Sequence, residues 1–288
     1  MLTTISATAN LKDVIQRAEK IRREMKASAA HFVSRKFTCP VHGTYTCHAR
    51  EGELVTDHGC PKCREERAKL AQRKNDHKLA FRNVRAELFK ELQARPCYAG
   101  RNTFDTFEAA TTAQKRNVEI CKRFASRLFE RIFTLPPEKS SVGLCLCGKP
   151  GTGKTHLGSA IYNALEEEGL APVYLRASTF FNCFLGMDGA TINKISAYFS
   201  RISCLMLDEL GRTACSAYEA NRILEILDER MRFGRPTVFI TNLDKSALRS
   251  GLGDAIASRA ASAFYTLSFD GEDYRKKAGL PADPLDLF

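Results

Sequence analysis

The run Gly148-Lys149-Pro150-Gly151-Thr152-Gly153-Lys154-Thr155 constrains this chain more than any other feature. It satisfies G-x-x-x-x-G-K-[ST] in full, the pattern of a loop that wraps phosphate groups. Glycines let the backbone curl with its N–H groups inward. The helix that follows offers its N-terminal dipole and unpaired donors to the anion. Lys154 is expected to reach the β- and γ-phosphates, and Thr155 to place its hydroxyl on Mg2+. Such a loop needs a strand before it and a helix after it. Val142–Cys147 is a short apolar run of the kind that makes a buried parallel strand, and 156–165 reads as a helix. Residues Gly148–His156 are therefore assigned to nucleotide binding, with ATP and Mg2+ as the expected ligands.

Further short strands are expected at Val173–Leu175, Ile202–Leu207 and Thr237–Thr241, with helices between them. That alternation predicts an α/β domain, a parallel sheet flanked by helices. The third strand ends in Asp208-Glu209, two acids at the C-terminal edge of a sheet that already carries a phosphate loop. Asp208 is expected to hold Mg2+ through water, and Glu209 to orient or deprotonate the attacking water. Asn242, at the tip of the next strand, could hold that water near the γ-phosphate, although Asn after a strand is also a common turn residue. Phe180, Phe181, Phe184, Tyr198 and Phe199 are assigned to the core rather than to base stacking, because aromatic runs usually pack.

A different chemistry precedes this domain. Cys39-Pro-Val-His42 is followed, after 17 intervening residues, by Cys60-Pro-Lys-Cys63, two knuckles at zinc-ribbon separation. Four protein ligands would close a structural Zn2+ site. Cys47 or His48 could replace His42, and His58 is a further spare ligand. No H-E-x-x-H pattern accompanies the cluster, which argues against catalytic zinc. Among the chain's 11 cysteines, Cys145, Cys147 and Cys204 sit in apolar runs and are expected to be buried thiols. Around the knuckles, 11–27 reads as an amphipathic helix and 64–95 as a charged one. The expected organisation is an N-terminal helix within 1–36, a zinc-binding module over 37–66, a helical linker over 67–100 and the ATPase domain over 101–288.

Charge is placed unevenly. Residues 1–100 hold 20 Lys and Arg against 11 Asp and Glu, whereas the remainder hold 24 against 22. The basic surplus suits nucleic acid or an acidic partner, and equally a solvated helical face. No apolar run reaches the roughly 18 residues of a membrane span, and the N-terminus lacks an apolar signal core. A cytoplasmic protein is expected.

The stretch GLCLCGKPGTGKTHLGSAIYNAL, then VYL, CLMLDELG, VFITN and LGDAIASR, resembles the DnaC/IstB branch of AAA+ P-loop ATPases over roughly residues 100–275. Arg101–Phe107 resembles the segment that opens the ATPase domain there. The resemblance implies an AAA+ domain that hydrolyses ATP and assembles as a homo-oligomer on DNA, with ATP at subunit interfaces. Lys154, Thr155, Asp208, Glu209 and Asn242 match the phosphate-loop, acidic-pair and sensor positions. Arg259 matches an arginine finger acting on the next subunit, and Arg275 loosely matches a second sensor. The zinc-binding module is similar to the helicase-docking module of DnaI-type loaders, whereas DnaC has a helical N-terminal segment without zinc. The partners implied are a replicative hexameric helicase and single-stranded DNA. Two alternatives stand beside the helicase loader. One is an IstB-like transposition helper on duplex DNA; the other is a zinc adaptor with a non-hydrolysing nucleotide site.

Overall fold

The computed structural model describes residue 19 and residues 32–93, 100, 102–212 and 215–274. The predicted helix at 11–27 therefore lies outside the described residues, residue 19 apart, as does Arg275. The chain divides into two compact units, 1–74 and 75–288.

The first unit carries a hairpin, β1 (Phe32–Cys39) and β2 (Gly43–Arg50), paired antiparallel from Phe32↔Arg50 to Cys39↔Gly43. Its three-residue turn is closed by Gly43 at φ +76°, left-handed backbone that suits glycine at this point of a tight hairpin. Helix α1 (Pro61–Glu91) starts directly after Cys60. Proline is well placed there, since its missing N–H would have had no helical partner. The buried residues described in this unit are Cys39, Cys47, Val55 and Cys60, too few to make a hydrophobic core.

The second unit is a three-layer α/β domain. In chain order it contains α2 (Thr112–Thr134), α3 (Pro137–Ser140), β3 (Gly143–Gly148), α4 (Lys154–Glu167), β4 (Val173–Arg176), α5 (Ala177–Asn182), α6 (Gly189–Arg201) and β5 (Leu205–Asp208). Then follow α7 (Ala217–Arg232), β6 (Thr237–Ile240), α8 (Leu248–Leu252), α9 (Asp254–Ala263) and β7 (Phe264–Phe269). The strands form one parallel sheet in the order β4-β5-β6-β3-β7.

Alternation along each strand feeds two cores. Cys145, Cys147, Val173, Leu175, Leu205, Leu207 and Phe239 face one core, with the phenylalanines of α5 and α6 and Ile223, Ile226 and Leu227 of α7. Leu144, Leu146, Tyr174, Met206, Val238 and Ile240 face the other, with Leu157, Ile161 and Leu165 of α4 and the apolar side of α2. Both faces are covered, which is why these strands read as apolar runs. Phe180, Phe181, Phe184 and Phe199 are buried and tilt against one another with Phe180 centroids 5.0–5.5 Å from its three partners. Cys145, Cys147 and Cys204 are wholly buried, and burial pushes the Cys204 thiol up to about 12. Phe81 and Leu88 of α1 are also buried in the cores of this unit.

Two helix starts fix the chain around the sheet. Thr111 caps α2 by accepting from Gln114 N, while Gln114 returns its Oε1 to Thr111 N. Ser216 and Glu219 do the same for α7. Arg230 joins α6, α7 and β6. It is fully buried and donates to Phe199 O, Ile202 O, Pro236 O and Thr237 Oγ1 at 2.5–3.1 Å. Burial pushes this guanidinium down to about 9, which still leaves it charged at neutral pH.

Candidate functional site

β3 is buried along its whole length and delivers the chain into the loop at Gly148. Gly148, Gly151 and Gly153 have φ of +125°, +72° and +91°, backbone that side chains with a Cβ rarely adopt. The curl brings the carbonyls of Gly148 and Lys149 onto Lys154, whose Nζ donates to them at 2.8 and 2.5 Å. Lys154 is only 4% exposed, so the loop already encloses an ammonium. Thr152 Oγ1 braces the same turn by donating to Lys149 O at 2.7 Å. α4 begins at Lys154, with Gly153 as its N-cap.

Neighbouring strand ends supply the acids. Asp208 closes β5 and is 3% exposed. Its Oδ1 accepts from Glu209 N, and its Oδ2 accepts from Tyr174 OH, both at 2.7 Å. Glu209 has φ +56°, left-handed backbone in a residue other than glycine. This local strain is held by the bond to Asp208 and by Leu210 N donating to Ile240 O at 3.0 Å. Thr241 N donates to Leu146 O at the end of β6, which sets Asn242 at the sheet edge.

Gly151–His156, Asp208, Glu209 and Asn242 line one cleft of about 950 Å3. Gly148, Lys149 and Pro150 are not among its lining residues. His156 lines the cleft, but its Nε2 is turned to Thr103 O at 2.9 Å, and its ring meets Phe107 edge-on at 5.3 Å. Arg259 does not line this cleft. It lies on α9, ion-paired with Asp228.

Two walls of the cleft were not read from the sequence. One is the segment before α2, residues 106–111 with Gln114. A Cβ at Gly153 would come within 2.4 Å of the Phe107 ring, so glycine is needed where this wall touches the loop. The other wall follows β7: Tyr274 N donates to Gly151 O at 2.9 Å. The Tyr274 hydroxyl bonds Glu108 of the segment before α2, which pushes the phenol above its usual range. Polarity at both segments is unremarkable in sequence; proximity to the loop is what makes them part of the site.

The donor chemistry fits a magnesium nucleotide. Thr155 and Asp208 offer the hard oxygen ligands that Mg2+ takes, beside an ammonium and a loop shaped for phosphate.

In the first unit, Cys39, His42, Cys60 and Cys63 converge, their ligand atoms all within 4.8 Å of one another. Cys39 Sγ lies 3.6 Å from Cys63 Sγ, and His42 Nδ1 lies 3.2 Å from Cys63 Sγ and 3.7 Å from Cys60 Sγ. Tetrahedral zinc with bonds of about 2.3 Å to sulfur would set sulfurs about 3.8 Å apart, so the cluster is compatible with Zn2+. His42 Nε2 meets Glu66 Oε1 at 3.0 Å, the carboxylate partner that a ligating histidine usually has. Glu66 follows Cys63 by one helical turn, a spacing that could have flagged it. Backbone N–H groups of His42 and Val41 hold the Cys39 thiol down at about 6. The spare ligands go elsewhere: His48 Nδ1 lies 2.8 Å from Ser34 Oγ, His58 Nε2 lies 3.1 Å from Thr56 Oγ1, and Cys47 stays buried on β2.

The sequence model of a family described as IstB-like ATP binding protein matches residues 65–282. The replicative helicase loader DnaC of Buchnera aphidicola subsp. Acyrthosiphon pisum is 31% identical over 179 residues, which span 60% of this chain and 69% of that protein. The DnaC loader of Escherichia coli K12 is 30% identical over 115 residues, 39% of this chain and 47% of that one. A crystal structure of DnaI superposes with a TM-score of 0.51 at 25% identity, covering 65% of this chain and 93% of that one. Among the described residues, no helix is long and apolar enough to cross a membrane.

Proposed function

This chain belongs to the family of IstB-like ATP binding proteins, and from that premise we propose that it is an ATP-hydrolysing loader of a replicative hexameric helicase. The observation that carries the reading is the likeness to curated helicase loaders over the region that builds the cleft. The gathering of Lys154, Asp208, Glu209 and Asn242 around that cleft supports hydrolysis as well as binding.

The residues divide the work. Lys154 neutralises the terminal phosphates, exchanging its two loop carbonyls for phosphoryl oxygens. Thr155 and Asp208 hold Mg2+, which when bound offsets charge on the phosphates. Glu209 orients the attacking water, and Asn242 restrains it from the adjacent strand. Arg259 serves the cleft of the next subunit in a homo-oligomer. Zn2+ held by Cys39, His42, Cys60 and Cys63 staples the first unit, which docks on the helicase. The basic surplus of residues 1–100 contributes to single-stranded DNA contact during loading.

The test mixes the purified full-length chain with its host's replicative helicase and measures complex mass by size-exclusion chromatography with light scattering. A complex that forms with ATP and is lost in the Cys60→Ser/Cys63→Ser variant is the expected result. No complex in any nucleotide state, together with ATP-dependent filaments on duplex DNA, would replace this reading with a transposition helper.

A further inference from the structure

Tyr174 is a large polar side chain with no exposure at all, set in the middle of β4. Its neighbours on that face of the sheet are Leu144, Leu146, Met206, Val238 and Ile240. A phenol buried among such groups needs a hydrogen-bond partner, since leaving it unmade costs more than the bond returns. The register pairs Tyr174 with Met206. The hydroxyl reaches along β5 from there to Asp208, donating to Oδ2 at 2.7 Å.

That carboxylate now has two donors, one on each oxygen: Tyr174 OH on Oδ2 and Glu209 N on Oδ1. Each carboxylate oxygen accepts at two positions, so one remains on each for a water of the metal's shell. Two bonds on different oxygens also fix rotation about the last side-chain torsion, which a single bond would leave loose.

The helix behind the phosphate loop is shaped for this phenol. A Cβ at Gly158 would come within 2.4 Å of Ile240 Cδ1 and 3.0 Å of Tyr174 OH. Gly158 lies one turn beyond Lys154 on α4. The hydroxyl therefore sits where α4, β4 and β5 meet, in contact with the element that binds phosphate and bonded to the acid assigned to the metal.

We propose that Tyr174 is a positioning residue for the magnesium-holding carboxylate: its hydroxyl locks Asp208 in the orientation that accepts the metal's water shell. The proposal rests on the nucleotide-site reading above and adds a residue to it.

Tyr174→Phe in the full-length chain removes the one oxygen and keeps the ring. The readout is the affinity of a fluorescent ATP analogue, first in EDTA and then across a Mg2+ titration, with thermal unfolding as a check on the fold. Affinity in EDTA stays as in the parent chain. The Mg2+ concentration at half effect rises about tenfold, as expected for loss of a hydrogen bond to a charged group. In an Asp208→Ala background the same substitution changes the Mg2+ response no further, because the two side chains act as one unit. An unchanged Mg2+ midpoint in Tyr174→Phe, with or without a lower melting temperature, overturns the proposal and leaves the phenol a scaffold. So does an equal additional effect in the Asp208→Ala background. Failure of the parent chain to bind nucleotide in either condition would remove the nucleotide-site reading itself, a result distinct from the other two.

Discussion

Arg259 grips Asp228 with two nitrogens, Nε to Oδ1 at 2.7 Å and one terminal nitrogen to Oδ2 at 3.1 Å, joining α9 to α7. The two side chains are 47% and 48% exposed, and a pair so wetted contributes about 0–1 kcal/mol. Arg259 can therefore leave Asp228 for a more highly charged acceptor, and it has none in its own cleft. Arg259→Ala should leave nucleotide affinity unchanged and stability within about 0.5 kcal/mol. ATP turnover at assembling concentrations should fall by roughly 10³ or more, the scale of an arginine acting on a transferring phosphoryl group. Turnover measured against protein concentration checks this; a variant that gains activity on assembly as the parent does would release Arg259 from the role.

Glu209 sits at φ +56° beside a phosphate loop whose other left-handed residues are glycines. Left-handed backbone costs a residue with a Cβ roughly 1–2 kcal/mol, and glycine gives back about 0.5–1 kcal/mol through its freer unfolded chain. Glu209→Gly should therefore stabilise the domain by about 0.5–1 kcal/mol while abolishing hydrolysis. Denaturant unfolding and ATP turnover on the same preparation give both signs. Lys154→Ala should differ from it by losing nucleotide binding as well as turnover. A Glu209→Gly variant that is both active and less stable would mean that the residue is held by packing and not by chemistry.

What could be read from the sequence follows from how locally each feature is encoded. The phosphate loop, its flanking strand and helix, and the acids at 208 and 209 are contiguous, and each was legible. Strand β7 was not, because its burial alternates and Tyr265 is 69% exposed. It lacks the continuous apolar run by which the other strands, β4 at the opposite edge included, were recognised. The bond between Tyr174 and Asp208 spans 34 residues and depends on the register of β4 against β5, which no local pattern states. In the cysteine–histidine cluster, spacing alone left Cys47 and His48 as rivals to His42. The hairpin favours His42 as the candidate: its turn brings Cys39 and His42 together, while Cys47 stays on the strand.

Arg230 makes its four bonds from a position with no exposure, three of them to backbone carbonyls. Arg230→Met would fill much of the same volume and strand those acceptors in a dry interior. Destabilisation of about 3–4 kcal/mol is expected, since hydrogen bonds to a charged group are worth about 1.5–3 kcal/mol each and do not add fully. The effect should be on folding and not on the cleft, because none of its partners lines that cleft. Urea unfolding in the presence and absence of nucleotide tests this. A loss below about 1 kcal/mol would mean the carbonyls find water instead.

Removal of zinc should act on one unit alone. The described residues buried in the first unit are three cysteines and Val55, so burial cannot hold the hairpin against chain entropy, and the binding energy of a zinc ion held there would become the folding energy. All four ligands lie within residues 39–63, whereas the nucleotide cleft is lined only by residues from 102 onward. A chelator, or Cys60→Ser with Cys63→Ser, should release one zinc per chain and abolish the hairpin's protection from hydrogen exchange. ATP-analogue affinity should remain within about twofold, since no ligand is shared between the sites. Metal analysis by mass spectrometry with hydrogen exchange on the same sample checks both halves. Retention of one zinc per chain in the double serine variant would show that the metal is held by other residues, and a collapse of nucleotide binding on chelation would show that the two units do not fold independently.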